Sequence, residues 1–262
     1  MALVETRTRE GVMTITLSDD EHRNVLSRAL LGELIGAIDV AESSPEVRVV
    51  VLTNRGKVFC AGADLAEQSQ GAPSTEGRPF PLSDLFQRIR RSPTPFVGRI
   101  MGHCVAGGVG LAAVLDISVS IDWATFGFTE VRVGVAPAMI SVVCLPKMRL
   151  GDARSAFLRG NRFSASEAAR MGLINQAVAP DAVDEEITAI VNDLLAGEPG
   201  AIAAAKQLTL VVPPMAVDDA FAWTSELSAS LFASDPAREG MSAFLEKRPA
   251  SWVTRLAPPD PR

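Results

Sequence analysis

Residues 47–65 read VRVVVLTNRGKVFCAGADL, and residues 95–115 read PFVGRIMGHCVAGGVGLAAVL. In the first stretch Val47, Val49, Val50, Val51 and Leu52 form a short, nearly continuous apolar run, as expected of a strand buried on both faces. It leads into the glycine-bearing loop Val58-Phe59-Cys60-Ala61-Gly62-Ala63-Asp64-Leu65. In the second, a strand over 95–100 runs into Gly102-His103-Cys104-Val105-Ala106-Gly107-Gly108-Val109-Gly110, with the apolar segment Leu111 to Leu115 behind it. Further strands at 117–121 and 125–129 follow. Strands interleaved with helices, rather than strands first and helices later, predict an α/β architecture.

Working outward, residues 3–17 read as a hairpin around Glu10-Gly11, because Met13, Ile15 and Leu17 alternate with threonines. A helix over 27–43 follows from the helical spacing of Leu30, Leu31, Leu34, Ile35, Ile38 and Ala41, and Pro45 marks its end. Residues 68–82, QSQGAPSTEGRPFPL, concentrate Gly, Pro, Ser and Gln and predict a mobile surface loop placed as a lid. Ser164-Ala165-Ser166-Glu167 fits a capping box, and Gly172 would stop that helix before a strand at 173–178. Helices are expected near 181–196, 200–210, 216–233 and 236–247, the last opening on Ser234-Asp235-Pro236. The division read from this pattern is an α/β core over 1–195 and a C-terminal helical region over 196–262.

The 262 residues are 47% hydrophobic and 21% charged, enough apolar material for one substantial core. A net charge of −6 argues against a broad nucleic-acid footprint, which needs a concentrated positive surface. The N-terminal residues lack a basic segment followed by an apolar signal core, and no apolar run is long enough for a membrane span, so a cytoplasmic chain without membrane partners is expected. Cys60, Cys104 and Cys144 sit in apolar surroundings without metal spacing and read as buried, reduced thiols.

Two glycine loops that each follow a strand and open a helix carry the chemistry. Backbone N–H groups at a helix start lack intrahelical partners and feel the positive end of the dipole, so they can stabilise an oxyanion. If the loops converge, a carbonyl oxygen could accept from both Ala63 N–H and Gly107 N–H; the alternative is that the glycines only permit sharp turns and close packing. A phosphate-binding P-loop is excluded because Gly107-Gly108-Val109-Gly110 is followed by leucine instead of lysine, and neither loop reads GxGxxG. With only His22 and His103 in the chain, metal hydrolysis and a serine-histidine triad have little support, and His103 reads as a packed residue. Glu130, between Phe126-Gly127-Phe128 and Val131-Arg132-Val133, is the candidate proton shuttle if poor hydration raises its pKa; otherwise it is a surface glutamate paired with Arg132.

These residues resemble the crotonase superfamily, the enoyl-CoA hydratases and isomerases. The resemblance runs from Asn24-Val25-Leu26-Ser27 through Phe59 to Leu65 and Gly102 to Asp116, and on to Glu239-Gly240-Met241-Ser242-Ala243-Phe244-Leu245-Glu246-Lys247-Arg248. It implies a spiral of repeated ββα units with a C-terminal helical trimerisation region, assembled as a homotrimer or homohexamer. It implies an acyl-CoA thioester as substrate and no separate cofactor, coenzyme A being part of the substrate. The thioester oxygen would sit between the N–H groups of Ala63 and Gly107, with Ala61, Asp64, Leu65 and Ala66 bordering the CoA arm and Lys247 and Arg23 contacting its phosphates.

The sequence also departs from the family's two-glutamate pattern. The glutamate expected three residues beyond the oxyanion glycine is Gly110, and only the second, Glu130, is retained. The loss of a side chain predicts a wider or differently hydrated pocket. Three readings follow: a hydratase in which Glu130 acts through water, helped by a group such as Glu67; a Δ3,Δ2-enoyl-CoA isomerase using Glu130 alone; or an acyl-CoA binding protein without turnover. The hydratase reading is favoured, because Gly108 to Leu111, Thr129 to Gly134 and Pro137 to Ser141 resemble the branch acting on branched glutaconyl-type acyl-CoAs.

Overall fold

The computed structural model describes residues 2–69 and 82–256. Strands β1 (Val4–Arg9) and β2 (Val12–Leu17) form the expected antiparallel hairpin. Its turn places both Glu10 and Gly11 at positive φ, the backbone twist that joins strands tightly. Helix α1 (Arg28–Ser43) is capped by the Ser27 side chain, which accepts from Leu30 N–H, and turns Leu30, Leu34, Ile38 and Ala41 into the core.

A ββα unit then recurs. The first comprises β3 (Val49–Asn54), β4 (Val58–Cys60), the short α2 (Leu65–Ser69) and α3 (Leu82–Arg91). The second is β5 (Phe96–Ile100), β6 (His103–Val105) and α4 (Gly107–Val114). The third is β7 (Ile117–Ile121), β8 (Thr125–Gly127) and, after a 3-10 helix over Thr129–Val133, α5 (Ala138–Cys144). Helix α6 (Leu150–Arg159), β9 (Arg162–Ser164), α7 (Ala165–Arg170) and β10 (Gln176–Val178) complete the core.

The first strand of each unit joins one sheet, of order β1-β2-β3-β5-β7-β10, and the second joins another, of order β4-β6-β8-β9. Every residue of β3 is buried, in accord with its unbroken apolar reading and its central place between β2 and β5. In the smaller sheet β4, β6 and β8 run parallel, with Cys60 opposite Cys104 and Cys104 opposite Phe126. Parallel register brings the chain off the C-terminal ends of all three strands on the same edge. The glycine loop holding Ala63, the start of α4 at Gly107, and Glu130 therefore leave one sheet side by side.

Several boundaries differ from the sequence reading. The strand read over 125–129 stops at Gly127, and the 3-10 helix starting at Thr129 turns Glu130 out of the sheet. Strand 173–178 contracts to β10, while Gly172 sits at φ 86 as the expected helix stop. The capping box forms: Ser164 accepts from Glu167 N–H at 3.1 Å, and Glu167 accepts from Ser164 N–H at 2.9 Å. Helices α5 and α6 are not foreshadowed by the sequence pattern. Their outward apolar residues, Met139, Val142, Leu150 and Leu158, are exposed, so no clean one-sided stripe marks them in the sequence. The segment read as a lid falls, except for its two ends, outside the described residues.

Beyond the core, α8 (Val183–Ala196) packs Val183, Ile187, Val191 and Leu195 onto the six-stranded sheet. Each such fully buried aliphatic contributes about 1.5–3 kcal/mol. Helices α9 (Pro199–Val211) and α10 (Val217–Phe232) bury no residue, and α11 (Asp235–Glu246) buries Ala243 alone. Lys206 nonetheless ties α9 to the core, its Nζ donating to Asp116 at 2.8 Å and to the carbonyls of Ile89 and Thr94. No helix among the described residues is long and apolar enough to cross a membrane.

Candidate active site

The two glycine loops converge. Gly62 sits at φ 89, a left-handed conformation that side chains resist, and its carbonyl accepts from Leu26 N–H at 2.7 Å. A Cβ built on Gly62 would lie 2.9 Å from Gly107 N, and one on Gly107 would lie 3.5 Å from Ala63 N. The amides of Ala63 and Gly107 thus lie close together, and no hydrogen bond from either to a described residue is found. Gly107 opens α4, where the first N–H groups have no intrahelical acceptor and the dipole adds positive potential. All eight residues of α4 are buried, and Gly108 rests so tightly on the Cys60 carbonyl that no side chain fits between α4 and β4.

Glu130 leaves the neighbouring strand. Its Oε2 is buried without a hydrogen-bond partner among the described residues. Desolvation raises its pKa above the ordinary glutamate range, opposed by a hydrogen bond within its own backbone unit. Arg132 does not neutralise it; that guanidinium donates to the carbonyls of Gly160 and Arg159. The carboxyl lies near enough to Cys144, at the end of α5, for its charge to add to the burial that pushes that thiol well up.

Gly110 corrects the expectation of a wider pocket. A Cβ there would fall 2.8 Å from Ile140 Cβ, closer still to Ile140 Cγ2, and 3.0 Å from Phe86 Cζ. Ile140 and Phe86 are both buried. The place of the missing side chain is therefore filled by hydrocarbon from α5 and α3, and it is neither enlarged nor polar. Ile140, Phe86 and Cys144 are the neighbours that sequence reasoning missed. The i, i+4 spacing of Ile140 and Cys144 could have flagged a shared face of α5.

The remaining candidates divide. Ala61 N–H donates to the Arg23 carbonyl at 3.1 Å, which joins the Arg23-Asn24 turn to the first glycine loop. Asp64 accepts from Ala66 N–H at 2.8 Å and Glu67 N–H at 3.2 Å, capping α2, and Leu65 and Ala66 are exposed beside Ala63. Glu67 is exposed on α2, and its carboxylate accepts from Arg28 N–H at the start of α1. The Arg23 side chain is exposed, and Lys247 ends α11 in a left-handed conformation. Among the described residues no contact brings Lys247 to the glycine loops. His103 is packed as expected, with Nδ1 accepting from Thr125 N–H at 3.0 Å and burial lowering its pKa. The three cysteines are free and buried, and burial pushes Cys60 up to about 12.

Two unpaired amides beside one poorly hydrated carboxyl can polarise a carbonyl and move a proton at the adjacent carbon. Known proteins point the same way. The sequence profile of the enoyl-CoA hydratase/isomerase family matches residues 7–255. A putative enoyl-CoA hydratase of Thermus thermophilus is 36% identical over 242 residues, spanning 91% of this chain and 96% of its own. A short-chain-enoyl-CoA hydratase of Clostridium acetobutylicum is 30% identical over 245 residues, covering 92% and 94%. The crystal structure of an enoyl-CoA hydratase from Mycobacterium smegmatis superposes with a TM-score of 0.88 at 34% identity, covering 96% of this chain and 99% of that one. The chain belongs to the enoyl-CoA hydratase/isomerase family, the crotonase superfamily.

Proposed function

We propose that the protein is an enoyl-CoA hydratase that adds water across the 2,3 double bond of a 2-enoyl-CoA, with Glu130 as its single acid/base. The observation that carries this reading is the unpartnered Glu130 Oε2, half-buried and of raised pKa, on the strand edge it shares with the Ala63 and Gly107 amides. In this scheme the amides hold the thioester oxygen. Glu130 takes a proton from water as the new C–O bond forms at C3, negative charge collects on the thioester oxygen, and the proton then goes to C2. Losing one such oxyanion donor typically costs about 2.7–4 kcal/mol of transition-state stabilisation. Coenzyme A arrives with the substrate, and the scheme draws on no further cofactor.

A second reading is favoured by the packing at Gly110. With hydrocarbon in place of the first carboxylate, Glu130 alone can shuttle a proton from C2 to C4 of a 3-enoyl-CoA, the Δ3,Δ2-isomerase reaction. The test is spectrophotometric. Loss of the conjugated absorbance of a 2-enoyl-CoA supports hydration, and its appearance from a 3-enoyl-CoA supports isomerisation. Tight acyl-CoA binding with neither change identifies a binding protein and refutes both.

We further propose a division into a core over 1–195 and a helical region over 196–262 that joins copies of the chain as a homotrimer or homohexamer. Phe221, Phe232, Phe244 and Leu245 are exposed on α10 and α11, and assembly would cover them. The cytoplasm, where free thiols persist, suits the three unpaired cysteines. Solution mass by light scattering tests the assembly; a monomer at micromolar concentration refutes it.

A further inference from the structure

Ile140 packs against the helix that carries the oxyanion amide. On α4, Gly110 lies one turn beyond the oxyanion amide of Gly107, and Ile140 with Phe86 occupies the volume into which a side chain at 110 would grow. On α5, Ile140 and Cys144 are four residues apart and share a face, and Cys144 lies within reach of the Glu130 charge. Beyond Phe86 opens a cavity of about 910 Å³ between α3, α5 and α9, lined by Gln87, Met139, Val143 and Gln207 among others.

We propose that Ile140 is a specificity-determining residue that sets the balance between adding water and moving a proton. The proposal rests on the hydratase reading with Glu130 as its acid/base. Filling the space beside Gly110 with a branched side chain denies it to water, so the only water that can react is one held by Glu130. Hydration needs that water: its proton goes to Glu130 as its oxygen bonds to C3, and the proton is then delivered to C2. Isomerisation needs none: the C2–H bond breaks, the double bond moves from 3,4 to 2,3, and the same proton forms the C4–H bond. Shortening Ile140 opens room for water next to the reacting carbons and favours the first reaction over the second.

The experiment measures both rates on the same preparation, with crotonyl-CoA for hydration and 3-hexenoyl-CoA for isomerisation. It compares the parent protein with Ile140→Ala and with Ile140→Val, the milder change, which retains the fold if the alanine variant does not. Because one methylene in an apolar pocket can discriminate by about tenfold or more, the hydration-to-isomerisation ratio should rise about tenfold in Ile140→Ala and less, in the same direction, in Ile140→Val. A purely structural role would lower both rates together. An unchanged ratio in variants of an active parent overturns the assignment to Ile140 and leaves the parent reading intact. A parent protein that turns over neither thioester overturns both.

Discussion

Replacing Gly110 by alanine tests the packing at the site most directly. The added methyl would meet Ile140 Cβ at 2.8 Å, Ile140 Cγ2 nearer still, and Phe86 Cζ at 3.0 Å. Both neighbours are buried and α4 is enclosed along its whole length, so relief requires Ile140 and α4 to part by roughly an ångström to reach ordinary contact. Overpacking of this kind costs about 1–3 kcal/mol. Ile140→Ala alone leaves a cavity and costs about 2–5 kcal/mol. In the double variant the new methyl occupies part of that cavity and the Cγ2 clash disappears. The combined cost should therefore fall short of the sum by about 1 kcal/mol, within the coupling range of touching residues. Urea unfolding of the four proteins at one fixed protein concentration, which controls for association, measures the cycle. Costs that add to within about 0.5 kcal/mol, or an alanine at 110 that is neutral, would show that Ile140 does not fill this space.

Other outcomes follow from the same geometry. Glu130→Gln should abolish turnover and leave acyl-CoA affinity within a few fold of the parent, read by steady-state kinetics and calorimetry; unchanged turnover rejects Glu130 as the acid/base. Because burial raises the Glu130 pKa, its carboxylate is lost as pH falls through a value above the ordinary glutamate range, and the acid limb of kcat/KM for hydration should be centred there. A limb at or below the usual glutamate value would mean that another group controls the rate. Lys206→Met removes the cation from Asp116, which is itself held up by burial, and should destabilise the chain by about 3 kcal/mol in urea. A double change with Asp116→Asn should recover part of that loss, since no uncompensated charge then remains.

What could be read in the sequence was what local rules determine. The capping box at Ser164 and Glu167, the amphipathic helix α1 and the wholly buried β3 each depend on residues a few positions apart, and each matches the sequence reading. The meeting of Ala63 and Gly107 could be anticipated because each amide follows a strand of the same kind. The content of the space at Gly110 could not. Ile140 stands thirty positions along the chain, and only the packing of α4 against α5 brings it there. The contact of Glu67 with Arg28 N–H is hidden from the sequence for a similar reason, since the acceptor at the start of α1 comes from a different loop. The pairing of Glu130 with Arg132, adjacent but for one residue, failed because the 3-10 helix directs Arg132 to the carbonyls that precede β9.

A site with one carboxyl must use the same group to accept a proton and to return it, and this places a demand on its surroundings. A glutamate at its ordinary pKa is almost wholly ionised at neutral pH, and its conjugate acid is a strong donor that is seldom populated. Desolvation of Glu130 moves the two forms closer in free energy, and with no partner on Oε2 among the described residues no hydrogen bond would compete with the proton in the proposed scheme. In the proposed scheme the amides of Ala63 and Gly107 would complete the requirement from the other side, because stabilising charge on the thioester oxygen lowers the basicity needed to move a proton at C2. Hydrocarbon at the Gly110 position is consistent with this economy. In the proposed scheme a second carboxylate there would oppose the charge collecting on the thioester oxygen unless it held water in a fixed place, whereas Ile140 and Phe86 put uncharged hydrocarbon in that position.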